Sequence, residues 1–183
     1  MMLPASRTDS GAFAASAFSA ADVAAVLRER GWLDTAAASP PEAWLEDAAA
    51  WLGAHAADRA KLAELLGLIF AYDARAILQS TDCQAVLARE GAREVLRGLA
   101  HLVLDAPEVD SDRFKEIVAA LKAKLRFRGR ELFHPIRLAL AGRAGEGELD
   151  RVILLLDRAA HLDFRVRVKS NRQRILEFCA ALV

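Results

Sequence analysis

Residues 126–142, RFRGRELFHPIRLALAG, combine four arginines and one histidine with a tight apolar pattern. Arginine carries a planar, permanently charged group that binds a phosphate or a base edge through parallel hydrogen bonds. Arg126, Arg128 and Arg130 alternate along the approach to the apolar part, and Lys122 lies one helical turn before them. Such a cluster is suited to binding the phosphates of a nucleic acid, although a charged run is more often a solvated helix face.

The apolar part of this stretch predicts a helix over residues 131–141. Pro135 is assigned to its first turn, where a missing N–H removes no hydrogen bond, and Gly142 to the left-handed cap at its end. The leucines and isoleucine between them would face the core. Arg137 is therefore expected to point away from the buried face, on the same stripe as Arg130.

The order of residues in this stretch is more specific than its periodicity. Residues 128–142, RGRELFHPIRLALAG, resemble the C-terminal motif K-G-K-x-L-F-x-P-L-R-x-A-L-T-G of bacterial glutamyl-tRNA synthetases. Ala141 replaces the threonine of that motif, and residues 145–147 replace its Gly-Pro turn. The resemblance covers residues 19–183 and is strongest at 126–143. It implies the all-α anticodon-binding region of a class I synthetase, without the catalytic domain.

The resemblance also implies roles for individual residues. Residues 58–70 are similar to an R-x-x-T-L-x-E segment whose arginine helps to read the anticodon in that family, with Leu62 and Glu64 one residue closer to the arginine. Arg59 is thus a candidate anticodon contact, and an ion pair with a nearby carboxylate is the equal alternative. Arg137 would contact a base edge or the backbone at the anticodon. The predicted tRNA-binding set is Arg59, Lys122, Arg126, Arg128, Arg130 and Arg137.

Composition supports a helical fold and conceals a charge asymmetry. The chain of 183 residues is 54% hydrophobic, with much of that alanine, and has few glycines and prolines, which favours helices. Residues 1–110 hold 9 Lys and Arg against 16 Asp and Glu, whereas residues 111–183 hold 16 against 9. A net charge of zero therefore divides into an acidic and a basic half, and a basic half can present one face to a polyphosphate.

The predicted architecture is two stacked helical-bundle subdomains behind a disordered leader. Residues 1–18 are small and polar without periodicity, which is typical of disorder. The subdomains span 19–80 and 81–183, with a turn and cap signal at Ser80. Residues 163–169 alternate like a strand, but a lone strand would have no partner, so they are expected to form an extended linker.

Two further expectations concern packing. The tryptophans Trp44 and Trp51 recur at a helical spacing that predicts core packing rather than a base-stacking platform. The final helix, capped at Ser170 and Asn171, is expected to bury four apolar side chains against the rest of the chain. These four are Ile175, Leu176, Phe178 and Leu182.

The sequence contains no motif for bond chemistry. It has no phosphate-binding glycine loop, no zinc-protease motif and neither of the ATP-site motifs of a class I synthetase. The two cysteines, Cys83 and Cys179, have no metal or disulfide spacing, and they predict reduced thiols in a cytoplasmic protein. No catalytic residue, metal or cofactor is predicted. No apolar run approaches the roughly 20 residues of a membrane span. The four histidines likewise lack ligand spacing: His55, His101, His134 and His161.

The sequence therefore predicts a tRNA-binding, anticodon-recognising domain, either a part of a glutamyl-tRNA synthetase or a free-standing paralogue. The start at residues 1–2, Met-Met, and the leader favour a separate protein. The expected partner is a glutamate-accepting tRNA, and a catalytic synthetase domain or protein would supply ligase activity. The rival hypothesis is a helical protein-interaction module that kept the fold but lost tRNA binding. The acidic half of the chain and Ala141 favour that rival.

Overall fold

The helical pattern of the sequence is realised throughout the computed structural model, which describes residues 17–34 and 41–182. These residues form ten helices and no strand, confirming the predicted all-α class. The predicted leader lies almost wholly outside the described residues. The helices are α1 (Ala20–Glu29), α2 (Glu42–Gly53), α3 (Arg59–Phe70), α4 (Ala74–Gln79), α5 (Thr81–Leu87), α6 (Ala92–Leu104), α7 (Ser111–Lys124), α8 (Gly129–Ala141), α9 (Glu148–Ala160) and α10 (Asn171–Ala181).

Short polar side chains begin most of these helices, as the sequence predicts. Ser19 and Ser170 each form a capping box, in which the side chains at the cap and three residues later bond each other's backbone N–H. Asp58 and Asp110 accept a backbone N–H from the first turns of α3 and α7. Ser80 ends α4, a short helix that the sequence pattern does not predict, and caps α5.

Helix α9 occupies the centre of the fold and packs against α2, α3, α8 and α10. Its apolar side chains at Val152, Ile153 and Leu155 are fully buried. The indole N–H of Trp44 on α2 donates to the carbonyl of Leu155 at 3.2 Å. Helices from both predicted subdomains thus share one hydrophobic core, and the division at residue 80 stays a prediction.

The tryptophans serve packing, as predicted. Trp44 is 1% exposed, and its ring meets Phe70 and Phe164 edge to face. Trp32 stacks on Phe70 with ring centroids 4.9 Å apart. Phe164 belongs to the connection between α9 and α10, which has no strand and is held by a bond from Arg165 N to the carbonyl of Trp32, 2.9 Å. Residues 163–169 therefore form a connection without a strand, as predicted, and the chain bends at 165 and 166.

Helix α8 differs from its prediction at the N-terminus. It begins at Gly129, whose positive φ of 52° turns the chain into the helix immediately after the extended Arg128. Pro135 therefore lies in the helix interior rather than in the first turn, and it offers no N–H to the carbonyl one turn earlier. The C-terminal prediction is confirmed, because Gly142 has a φ of 84° and its N–H bonds the carbonyl of Leu138.

Helix α10 turns a different face to the core than the sequence predicts. Leu176 is 48% exposed rather than docked. The buried stripe instead runs through Asn171, Arg174, Ile175 and Phe178, at offsets of three and four residues. Two of these four side chains are polar, which is why apolar periodicity alone misplaces the stripe.

Candidate nucleic-acid interface

The cations at 122–130 lie where α7 ends and α8 begins, and we call this segment the basic turn. Arg128 holds it together. Its guanidinium donates to the carbonyls of Lys122, Leu125 and Phe127 at 2.7, 2.6 and 2.7 Å. The carbonyls of Lys122 and Leu125 lie at the C-terminal end of α7, where backbone oxygens lack helical partners and a positive charge is favourable, and Phe127 belongs to the connection that follows. Arg128 thus fixes the shape of the turn while remaining exposed.

Phe127 anchors the basic turn to the start of α6. Its ring is buried and occupies the space beside Gly91, where an added Cβ would lie 1.9 Å from the ring. Gly91 also has a φ of 80°, in the left-handed region that favours glycine. Glycine is therefore required at 91 for two reasons, and the sequence pattern identifies it only as a helix end.

Arg126 and Arg130, two of the residues predicted to bind phosphates, form exposed ion pairs. Arg126 pairs with Glu90, and both side chains are more than 70% exposed. Arg130 pairs with Glu146 at 3.3 Å, again on the surface. Such solvent-exposed pairs contribute only about 0–1 kcal/mol, so their arginines can exchange a carboxylate for another anion.

Lys122, the remaining predicted cation of the turn, has no carboxylate partner among the described residues. Its ammonium lies 5.6 Å from the centroid of the Phe133 ring. The structure therefore brings Lys122, Arg126, Arg128 and Arg130 together on one segment, as their spacing predicts.

Arg137 is not exposed, contrary to the prediction. Its side chain is 9% exposed, and Nε and Nη2 bond the two carboxylate oxygens of Asp150 at 2.8 and 2.9 Å. Nη1 donates to the carbonyl of Gly145 at 2.7 Å, and the guanidinium lies 4.8 Å from the Phe133 ring centroid. The prediction failed because a partner for the charge, Asp150, lies on the next helix. Arg137 fixes the α8–α9 loop, and its predicted contact with the anticodon stays a prediction.

His134 lies between these arginines as a neutral base. Burial first, and then the charges of Arg89, Arg130 and Arg137, lower the pKa of its imidazole, with Glu146 opposing them. Nδ1 lies 3.1 Å from the guanidinium of Arg89, which can only donate, so the proton of the neutral ring is on Nε2. That Nε2 is shielded from solvent and has no hydrogen-bond partner within residues 17–34 and 41–182.

Arg59 lies apart from the basic turn. It is the first residue of α3, and its guanidinium pairs with Glu29 of α1 at 2.7 Å. The ion pair that was the structural alternative is therefore present. No contact among the described residues joins Arg59 to the basic turn, and its role in reading an anticodon stays a prediction.

Arg174 is the charged residue that the sequence does not single out. Its side chain is fully buried, and its guanidinium donates to the carbonyls of Leu68, Ile69 and Leu140 at 2.6–2.9 Å, and to that of Lys169 at 3.1 Å. We call these four carbonyls the carbonyl cage. Three of them belong to the last turns of α3 and α8, where the negative ends of the helix dipoles favour a cation. Arg174 thus joins the helices that carry Arg59 and Arg137.

Tyr72 completes the carbonyl cage. Its hydroxyl donates to the carbonyl of Ala139 at 2.6 Å, and the Arg174 guanidinium lies 4.4 Å from its ring centroid. Burial raises the pKa of the Tyr72 hydroxyl, while Arg174 acts in the opposite direction. Burial lowers the pKa of Arg174 to about 10, so it remains charged at neutral pH. The sequence holds one indication that Arg174 is buried. It lies three or four residues from Asn171 and Phe178, which is the helical spacing of the buried stripe of α10.

The described part of the chain holds no group of three or more His, Cys, Asp or Glu side chains arranged for a metal ion. None of the helices within 17–34 and 41–182 combines the length and apolarity that crossing a bilayer requires. Both cysteines are free thiols, Cys83 buried and Cys179 half-buried, and burial raises the pKa of each.

One family of known proteins matches most of this chain. The family model described as an anticodon binding domain matches residues 18–163. This chain therefore belongs to the anticodon-binding-domain family.

Three curated relatives are glutamate–tRNA ligases. The chain is 35% identical over 75 residues to glutamate–tRNA ligase 2 of Syntrophus aciditrophicus, covering 41% of this chain and 15% of that protein. It is 26% identical over 130 residues to the Bacillus subtilis ligase, covering 71% and 26%. It is 32% identical over 97 residues to the Bacillus licheniformis ligase, covering 53% and 19%. The matches span about a quarter or less of these relatives, and no solved structure matches the chain significantly. The resemblance to the anticodon-binding region of glutamyl-tRNA synthetases is confirmed.

Proposed function

We propose that this domain binds the anticodon region of a tRNA, and that its ligand is a glutamate-accepting tRNA. The observation that carries the proposal is the family match over residues 18–163, which includes the whole basic turn. The names of the curated relatives support the choice of glutamate.

The basic turn supplies the phosphate contacts in this proposal. Its cations lie on the surface, and the carboxylates that pair with Arg126 and Arg130 are themselves exposed. A phosphate can replace such a carboxylate at small cost, because exposed pairs are weak and a phosphate binds the guanidinium fork through two parallel bonds. Arg128 and Lys122 add positive charge at the same place. Contacts of this kind position an RNA without reading its sequence.

Sequence reading falls to Arg59 and Arg137 in this proposal. The guanidinium of Arg137 has five N–H groups, and three take part in bonds to Asp150 and Gly145. A base-edge contact would use the remaining N–H groups, with Asp150 holding the fork in place. Arg59 would exchange Glu29 for a base in a similar way. Unstacked anticodon bases present the edges that such side chains read.

The wider setting is also part of the proposal. The domain would act beside a catalytic synthetase domain or protein that supplies glutamate–tRNA ligase activity, and it would do so in the cytoplasm. The division into subdomains at 19–80 and 81–183 would separate the part that carries Arg59 from the part that carries the basic turn. The names of the relatives, glutamate–tRNA ligases, support the synthetase setting.

The test is equilibrium binding of labelled tRNA over a series of KCl concentrations. We expect log affinity to fall with log salt by roughly 0.7 for each neutralised phosphate of a single strand. The double variant Arg126→Gln/Arg130→Gln should lower affinity for glutamate-accepting and other tRNAs alike and reduce this slope by about 1–1.5. Lys115→Gln/Arg113→Gln is the matched control, since both cations form ion pairs at the other end of α7, where Lys115 is exposed and Arg113 is half-buried.

Specificity has a separate measurement. Arg59→Ala and Arg137→Ala should each reduce the preference for a tRNA with a glutamate anticodon, with a loss of about 1–3 kcal/mol for the matching tRNA. Absence of tRNA binding by the intact chain at low salt would refute the proposal and favour the protein-interaction module.

A further inference from the structure

The cations of the basic turn are nearly all engaged by this chain's own oxygens, whereas others close to it are not. Arg93 and Arg97 on α6 are exposed and have no hydrogen bond or ion pair among the described residues. Lys124, the last residue of α7, is likewise exposed and unpaired. Unpaired cations are the ones that gain most from an added anion, because no existing pair has to be broken.

Arg97, His101 and Lys124 line one groove, and Arg93 continues the row along α6. Arg93, Arg97 and His101 follow each other at intervals of four residues, so they form a ridge along α6 with a rise of about 6 Å between neighbours. Lys124 lies across the groove between α6 and α7, whose lining also includes Arg97 and His101. We call Arg93, Arg97, His101 and Lys124 the α6 ridge.

Helices α6 and α7 approach each other closely at this groove. A Cβ added at Gly98 would lie 2.9 Å from a methyl group of Leu121, so glycine permits this approach. The groove has a volume of about 280 Å³. Glu94 is the only acidic side chain among its described lining residues, so the rim is predominantly basic.

The α6 ridge continues into the basic turn. Lys124 is two residues from Lys122 and two from Arg126, and Phe127 fixes the turn against Gly91 at the start of α6. The anchoring of Phe127 therefore holds the two sets of cations in one arrangement. A chain of negative charges that passes over the basic turn would meet Lys124 next, and then Arg97.

We propose that the α6 ridge is a second RNA-binding surface, which holds the phosphates of the tRNA strand that passes over the basic turn. The inference rests on the proposed function. The ligand is a backbone rather than a base, because no Phe, Tyr or Trp ring is among the described residues that line the groove, whereas most of its polar side chains are cationic or histidine. An acidic amphipathic helix of a protein could also use basic rims, but the continuity with the basic turn favours RNA.

The test is tRNA binding by the triple variant Arg93→Gln/Arg97→Gln/Lys124→Gln across a KCl series. We expect a loss of roughly 10- to 100-fold near 0.1 M salt and a decrease of about 2 in the salt slope, from three phosphate contacts. The matched control is Arg75→Gln/Arg151→Gln/Arg167→Gln, which removes the same charge from exposed, unpaired positions on α4, α9 and the α9–α10 connection. Circular dichroism and thermal unfolding check that both variants fold.

Lysine acetylation read by mass spectrometry provides a second measurement. We expect bound tRNA to protect Lys124 and to leave Lys115, at the far end of α7, as reactive as in the free chain. If both triple variants lose affinity equally, the effect is one of net charge and the inference is overturned. It is also overturned if the first variant binds tRNA normally but no longer binds a labelled acidic amphipathic peptide that the intact chain does bind. A complete absence of tRNA binding by the intact chain instead refutes the proposed function itself.

Discussion

Arg128 in the basic turn and Arg174 in the carbonyl cage both donate hydrogen bonds to backbone carbonyls, but Arg128 is exposed to solvent and Arg174 is buried. Each donates to backbone carbonyls where helices end: α7 for Arg128, and α3 and α8 for Arg174. Arg128 does so at the surface, whereas Arg174 is 0% exposed. Among the described residues the Arg174 guanidinium bonds only backbone carbonyls, which stabilise its charge together with the helix dipoles, and the charges of Glu177 and Asp157 favour it without a bond.

The difference shows what makes an arginine available to a ligand. An exposed carbonyl released by Arg128 is hydrated at once, so a phosphate can compete for that guanidinium. A carbonyl released by Arg174 would remain dry, at a cost of about 1–3 kcal/mol for each such group. The basic turn is therefore suited to exchange its partners on binding, and the carbonyl cage is suited to fixing helix positions.

The largest expected effect is on the carbonyl cage. Arg174→Leu should lower the free energy of unfolding by about 3–5 kcal/mol, because it leaves the buried carbonyls of α3 and α8 without donors. Urea unfolding followed by circular dichroism measures this loss. Arg172→Leu, on the exposed face of the same helix, is the control and should cost less than about 1 kcal/mol. Equal losses in the two variants would mean that Arg174 contributes no more than a surface arginine.

The next effect concerns the anchor of the basic turn. Gly91→Ala should destabilise the fold by about 2–4 kcal/mol, since it combines a positive φ with a clash against Phe127. Gly31→Ala isolates the backbone part, because Gly31 has a φ of 71° and nothing within 4 Å of its added Cβ. It should cost only about 1 kcal/mol. Thermal unfolding of both variants measures the two losses of stability. The excess loss in Gly91→Ala reports the clash with Phe127, and equal losses would contradict the packing of Phe127 against Gly91.

The two regions also differ in how far the sequence predicts them. The basic turn could be located because Arg126, Arg128 and Arg130 are adjacent in sequence and their environment is local. The ion pairs of Arg126 and Arg130 could not be predicted, since their partners, Glu90 and Glu146, lie far from them in the sequence. Capping boxes at Ser19 and Ser170 were predictable for the same local reason.

The carbonyl cage could not be predicted, because it depends on where α3, α8 and α10 end relative to one another in space. Arg174 looks like an ordinary surface residue in a polar stretch until the buried stripe of α10 is known. The prediction for Arg137 was wrong for the same reason. Its apolar neighbours implied that its charge would be exposed, but Asp150 on the next helix pairs with the charge and allows it to be buried. Whether a charged side chain is buried depends on its partner, and a partner on another helix leaves no periodic pattern in the sequence.

A smaller effect tests whether Arg137 belongs with the carbonyl cage or with the basic turn. Asp150→Asn should lower stability by about 1–3 kcal/mol, because it leaves the buried guanidinium of Arg137 without its carboxylate. If Arg137 is a fixed structural residue, Arg137→Met/Asp150→Leu should recover part of this loss. The measurement is a double-mutant cycle in both stability and tRNA affinity. Coupling in stability alone would place Arg137 with the cage, and coupling in affinity as well would place it with the RNA-binding residues.

The smallest effect is a pH dependence at the basic turn. The pKa of His134 in the folded chain is below its ordinary value of 6.5, chiefly through burial and then through Arg89 and Arg130. As the pH falls below about 6.5, the unfolded chain binds a proton at this histidine more readily than the folded chain does, so the free energy of unfolding decreases. Above that pH the contribution of neutral His134 to stability is fully present. His134→Gln should remove this decrease, while His55→Gln, at an exposed position after α2, should retain it.

The window for this measurement is pH 5–8. Asp22 and Glu64 also have lowered pKa values, through bonds from Ser19 and Arg143 respectively, but their ordinary values are 3.8 and 4.5. Their stabilising contribution is present above those values and is lost only as the pH falls further, through their folded pKa values. Unfolding in urea at several pH values within the window therefore reports chiefly on histidines. A wild-type profile that is flat between pH 5 and 7 would contradict the lowered pKa of His134.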